Sequence, residues 1–95
     1  MHNTLIETVR KHISLLHAAE TVYLFGSVLN ANRMPNDIDI LIIYLEYTTA
    51  MHHQAKEFAE KVENATGLSV DLTILSAEEE KEVCFLERID SLRLK

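Results

Sequence analysis

Asp37 and Asp39 stand one residue apart at the start of the most apolar run in the chain, Asp-Ile-Asp-Ile-Leu-Ile-Ile-Tyr, residues 37–44. Side chains alternate along a strand, so a strand here puts both carboxylates on one face and Ile38, Ile40 and Ile42 on the other. The two Cα atoms are then about 6–7 Å apart. At that separation each charge raises the other's pKa and costs stability. A hard divalent cation turns the repulsion into attraction, and oxygen-only ligation of this kind suits magnesium or manganese. A third acid, Asp71, interrupts a second apolar run, Ser69 to Leu75, where a charge is otherwise poorly explained. If that run lies parallel to the first, joined by a helical crossover, Asp71 reaches the same edge. Any one of the three alone reads equally well as a solvent-facing or turn residue; the three together predict a metal-binding and catalytic pocket.

Upstream, Gly26-Ser27 closes the β-branched and aromatic run Thr-Val-Tyr-Leu-Phe, residues 21–25. A glycine there lets the backbone bend and lets a phosphate approach, and a serine hydroxyl with neighbouring amides can donate to phosphate oxygens. Gly-Ser alone usually marks only a turn. Its interest here is its place between two apolar strands, with nine residues between it and Asp37.

The elements that must hold these residues follow from periodicity. Leu5, Ile6, Val9, Ile13 and Leu16 form a helical stripe, predicting a first helix over Asn3 to Ala19. Strands are predicted over Thr21 to Phe25, from Asp37, and over Leu68 to Leu75, with a turn at Pro35-Asn36. Apolar residues on both faces of the Asp37 strand predict a central position, covered on two sides. Met51, Ala55, Phe58, Ala59 and Val62 predict a second helix, about Thr48 to Ala65, capped near Gly67. Ser76 and Glu79 form a capping-box pattern for a last helix with Val83, Leu86 and Ile89 as its stripe. The order specifies a small α/β (α+β) domain, a mixed sheet of three to four strands flanked by helices, with residues 1–95 as one domain.

Composition narrows the function. Fifteen acidic against nine basic residues give a net charge of −6, which repels polyphosphate and disfavours direct nucleic-acid binding. The amino terminus lacks a signal-peptide pattern, and the longest apolar run is far below the ~20 residues of a membrane span. A soluble, cytoplasmic protein that does not enter membranes is expected. The single Cys84 reads as a small core residue in the last helix, and Tyr23 and Tyr44 read as core. His12 and His17 are five apart, off a common helical face, so these two and His52 and His53 read as surface or boundary residues rather than zinc ligands. Glu78, Glu79 and Glu80 fit the first turn of a helix, where the dipole favours negative charge.

The stretch Leu-Phe-Gly-Ser followed by Asp-Ile-Asp, with Val-Asp-Leu-Thr-Ile-Leu further on, resembles the DNA polymerase β-like nucleotidyltransferase superfamily. The short length resembles its minimal nucleotidyltransferases, which are often the antitoxin partners of HEPN-domain toxins. The resemblance covers about Leu5 to Leu75. It implies the polymerase β palm-like fold, with Asp37 and Asp39 binding the two magnesium ions that hold a nucleoside triphosphate. Asp71 would share one ion and help activate the acceptor hydroxyl, while Gly26 and Ser27 cradle the β- and γ-phosphates. Arg33 is the one cation in the stretch after Gly-Ser that could assist them. The implied reaction is in-line attack of a hydroxyl on the α-phosphorus with pyrophosphate leaving.

The function this resemblance implies is transfer of a nucleoside monophosphate, AMP from ATP, to a hydroxyl on a HEPN-type toxin, within a toxin–antitoxin pair. The acceptor would come from a partner or from a second subunit of a homo-oligomer. Two alternatives stay open. One is an antitoxin or interaction module that acts by binding alone. The other is a small-molecule, aminoglycoside-like nucleotidyltransferase.

Overall fold

The computed structural model describes residues 3–95. One four-stranded sheet organises the chain. Its strands are β1 (Thr21–Phe25), β2 (Asp37–Tyr44), β3 (Ser69–Ser76) and β4 (Ser91–Arg93), in the spatial order β3-β2-β1-β4. The β1 strand runs antiparallel to both β2 and β4, while β2 and β3 are parallel. A parallel pair needs a long crossover, and helix α2 (Thr49–Thr66) supplies it. The sheet is therefore mixed, with β2 at its interior.

Alternation along β2 divides the sheet into two faces. Ile38, Ile40 and Ile42 point into the main core, where they meet Val22 and Leu24 of β1. Helix α1 (Asn3–Lys11) adds Ile6 and Val9, and α2 adds Met51, Ala55, Phe58 and Val62. On the opposite face Leu41 and Ile43 are also buried. Helix α3 (Ala77–Val83) lies against β2 and β3, and Phe85, just beyond it, packs edge-on against Phe25 at 5.3 Å between ring centroids. The expected double coverage of the central strand is observed.

The capping chemistry of α2 matches its sequence. Thr48 Oγ1 accepts from the Met51 amide at 3.1 Å, and Gly67, at φ 73°, closes the helix with its N–H on the Glu63 carbonyl. Glu63 Oε2 then accepts from the Val70 amide at 2.8 Å, tying the helix end to β3. The capping box of α3 is complete, Ser76 with Glu79.

Two expected helices are shorter than their apolar stripes. The first ends at Lys11 and gives way to a 3-10 turn over Ile13–Leu15. This tighter path is held from across the molecule. Lys95 Nζ donates to the carbonyls of Leu16 at 2.8 Å, His17 at 3.3 Å and Ala19 at 2.6 Å. Cationic donors are favourable at such carbonyl ends. The last helix stops at Val83, which is exposed, because Cys84 adopts a left-handed conformation at φ 51°. Glu80 accepts from the amides of Phe85 and Leu86, and a second 3-10 turn, Phe85–Arg88, follows. Cys84 is thus a partly buried helix terminus, not a core residue within a helix. Tyr23 and Tyr44 are partly buried, not core; Tyr44 packs on the core's margin.

Beyond the stripe, which ends at Ile89, the chain forms β4. Ser-Leu-Arg-Leu-Lys, residues 91–95, alternates polar and apolar, and Leu92 and Leu94 pack on the core. Among the described residues no helix is long and apolar enough to cross a membrane. Phe58, fully buried where α2 meets the sheet, offers a test of the core. Phe58→Ala is expected to lower stability by about 3–5 kcal/mol in urea unfolding, with a full-length cooperative transition retained at low temperature.

Candidate active site

The β2–β3 register aligns the acids. Asp39 pairs with Asp71, and Asp37 with Ser69. Cross-strand partners lie on the same face, so Asp37, Asp39 and Asp71 share the face opposite the main core. One carboxylate oxygen from each of the three lies within 4.8 Å of the others. Asp37 and Asp39 are partly buried and Asp71 is exposed. Among the described residues no other three histidine, cysteine, aspartate or glutamate side chains converge in this way. The histidines accordingly do other things: His12 bonds the Thr8 carbonyl and His52 the Tyr47 hydroxyl.

Crowded charge leaves its mark on protonation. Burial holds Asp39 above the ordinary carboxylate range, with the charges of Asp37 and Asp71 pushing the same way. Asp71 is raised chiefly by a hydrogen bond with the Asp37 carboxylate, then by that residue's charge. Both groups thus bind protons more tightly in the folded chain than in the unfolded one. The donor set fits a hard divalent cation: three carboxylates, oxygen donors only, with one oxygen of each within 4.8 Å of the others. Asp37, Asp39 and Asp71 are the residues that could hold it.

Gly26 is built into the same cluster. Its φ is 81°, in the region that side chains rarely adopt. Its open side faces the Asp39 carboxylate so closely that a Cβ there would collide with Asp39 Oδ2. Phe25, immediately before it, pairs directly with Asp39 across the strands. The chain then enters a 3-10 turn, Gly26–Leu29, with Ser27 partly buried and Val28 fully buried as its anchor. Arg33 lies further along, in the exposed stretch before the buried Pro35. Sequence reasoning missed the segment on the other side of Gly26. Ile89 and Asp90, with Ser91 at the start of β4, line a cleft that Gly26 also lines. The period-two pattern of residues 91–95 was the available signal.

A mixed sheet with paired carboxylates at the mouth of its interior strand, and a glycine turn closing the strand beside it, is the architecture of nucleotidyltransferases. Residues 3–90 match the family described as Polymerase beta, Nucleotidyltransferase, and the chain belongs to that family. Among solved structures it is similar to a chain of a mutant MntA–HpeT toxin–antitoxin pair, with a TM-score of 0.58 at 22% identity, covering 100% of this chain and 73% of that one. It also resembles a chain of the complex between a tri-AMPylated HEPN toxin of Shewanella oneidensis and its MNT antitoxin, with a TM-score of 0.53 at 23% identity, covering 99% and 68%. A third likeness is to a toxin–antitoxin structure containing AMP-PNP, with a TM-score of 0.57 at 24% identity, covering 99% and 72%. No curated protein matches the chain.

Two predictions follow from the cluster itself. In chelator, the raised carboxylates contribute stability below the ordinary carboxylate pKa and lose it as pH rises through their raised values. The thermal midpoint of Asp39→Asn should therefore gain on wild type as pH climbs from about 4 to 7. Added Mn2+ should raise the midpoint of wild type and leave an Asp37→Asn, Asp39→Asn double variant unmoved. The glycines supply a matched comparison, since a Cβ at Gly67 meets nothing within 4 Å. Gly67→Ala is expected to cost about 1–2 kcal/mol for its left-handed backbone alone. Gly26→Ala should cost more and weaken Mn2+ binding in a calorimetric titration.

Proposed function

We propose that this protein transfers a nucleoside monophosphate, AMP from ATP, to a hydroxyl group on a HEPN-type toxin and serves as that toxin's antitoxin. The observation that carries the reading is the convergence of Asp37, Asp39 and Asp71, with Gly26 seated against Asp39. Family membership supports the reaction class. The partner is suggested by the structural likeness to MNT-containing complexes, one of them with a tri-AMPylated toxin.

Each residue has work in this reaction that its surroundings suit. Asp37 and Asp39, half-sheltered on the rigid interior strand, would hold magnesium, which supplies Lewis-acid polarisation of the phosphates and charge neutralisation. Gly26, having no Cβ, lets its turn close against the Asp39 carboxylate and so brings the turn's amides beside the acids. Ser27 and the first N–H groups of its turn, which have no partner within the turn, donate to the phosphate oxygens. Arg33 is the cation closest in sequence to offset the accumulating charge. Asp71 is exposed and inclined to hold a proton, which suits it to take the proton of the incoming hydroxyl. The hydroxyl oxygen bonds to the α-phosphorus, the bond from that phosphorus to the bridging oxygen breaks, and pyrophosphate leaves with the electron pair.

A second reading, neutralisation by contact, draws on a different observation: Met34, Leu45 and Tyr47 are large apolar side chains left exposed, Met34 at 83%. The two readings part cleanly. Incubation with α-labelled ATP, magnesium and a candidate HEPN-type toxin should label the toxin, and the Asp37→Asn, Asp39→Asn variant should lose labelling by at least about a thousandfold. Absence of labelling with any of the four triphosphates would sink the transfer reading. Full neutralisation of the toxin by the double variant would instead establish contact as the means.

A further inference from the structure

The outer edge of β3 is open: among the described residues β2 pairs with one side of it and no strand with the other. Along a strand, successive N–H groups point to opposite edges. Val70 N–H donates to Glu63 Oε2 at 2.8 Å and Ser76 N–H to Glu79 Oε1 at 2.9 Å, so both point away from β2. By alternation the N–H and C=O groups of Leu72 and Ile74, between them, point the same way. The two glutamates close the ends of the edge and leave its middle free to pair. That middle lacks the usual blunting devices, since Ser69–Ser76 contains no proline, glycine or lysine. On the core side Leu72 and Ile74 line a concavity of about 300 Å³ together with Ala55, Lys56, Ala59 and Glu60 of α2.

We infer that this edge joins a second copy of the chain: the two β3 strands pair antiparallel about a two-fold axis at Leu72, and the two α2 helices flank the seam. The inference goes beyond the proposed reaction and does not depend on it.

Charge order selects a second copy over other extended segments. Lys56 and Glu60 stand one turn apart on α2, both exposed. A two-fold axis between them reverses their order in the other copy, so each lysine meets a glutamate. A lone peptide would fill the edge and leave both charges without counterparts. The axis that suits the charges is also the one that suits the strands. From the Glu63–Val70 contact, Leu72 lies about 6–7 Å along the strand. The midpoint of Lys56 and Glu60 lies about 7–8 Å back along the helix, which runs opposite to β3 as a crossover and so reaches the same level. An axis there sets Leu72 opposite Leu72 of the other copy and Ile74 opposite its Val70, and the free N–H groups of both residues find carbonyls.

The axis stands normal to the sheet, so both α2 helices lie on one face and both aspartate clusters on the other. Asp71 of each copy then lies beside the seam, opposite Thr73 of its mate. The net charge of −6 on each chain opposes association, so a weak dimer is expected, with Kd on the order of 100 µM.

Sedimentation equilibrium from about 10 µM to 1 mM, in about 0.15 M salt, tests this. Wild type should pass from monomer to dimer across that range. Lys56→Glu sets like charges across the seam and should weaken the dimer at least about tenfold. Combining it with Glu60→Lys restores opposite pairing and should recover wild-type association. Amide hydrogen exchange reads the backbone: Leu72 and Ile74 should gain protection as concentration rises, while Thr73, directed to β2, stays unchanged. Association indifferent to Lys56→Glu, or a double variant no stronger than Lys56→Glu alone, overturns the inference. So does a dimer whose Leu72 and Ile74 amides exchange as in the monomer. A monomer at every concentration overturns it as well and leaves the edge to an extended segment of another protein.

Discussion

Mutual repulsion among three carboxylates is the constraint around which the rest of the molecule is arranged. On a flexible surface such groups would swing apart into water. Here they cannot, because Asp37 and Asp39 are fixed to a strand whose intervening and following residues, Ile38, Ile40, Leu41 and Ile42, are wholly buried. Asp71 is held opposite Asp39 by the parallel ladder. The raised proton affinities follow from that confinement: burial first for Asp39 and the hydrogen bond with Asp37 first for Asp71, with the neighbouring charges adding to each. A site strained in this way gains from a cation in proportion to how rigidly it is held.

One structural rule, alternation along a strand, separates that strain from the core. The even-numbered isoleucines of β2 bind α1 and α2 to the sheet; its odd-numbered residues begin with two acids and end with Leu41 and Ile43. The second face is therefore polar at one end and apolar at the other. The α3 helix and the Phe25–Phe85 contact serve the apolar side of this division. A one-residue slip of β2 would bury both aspartates and expose three isoleucines, so the register that makes the site is the register that makes the core.

This coupling explains what could be read from the chain beforehand. The strands at 21–25 and 37–44, the α2 helix with its Thr48 and Gly67 caps, and the capping box at Ser76 each announce themselves through local pattern. The convergence of Asp71 followed from topology, once its strand was taken to be parallel. The misread parts were settled by partners distant in sequence. The first helix is cut short and held by Lys95, 76 to 79 residues away. The last helix yields at Cys84's left-handed backbone, beyond which Phe85 packs on Phe25. The contact of Gly26 with Asp39 was equally out of reach: Gly-Ser announced a turn, but not which side chain the turn would press against.

The order of strands gives the site a direction. The β3 strand carries its exposed acid at the sheet's outer edge, β2 carries two sheltered acids inside, and the Gly26 turn and the cleft lie beyond, at β1 and β4. Shelter therefore rises from the β3 edge toward the interior strand. Asp39 stands at the centre of that gradient, pressed against Gly26 on one side and paired with Asp71 on the other, and its carboxylate alone accounts for the absence of any side chain at position 26.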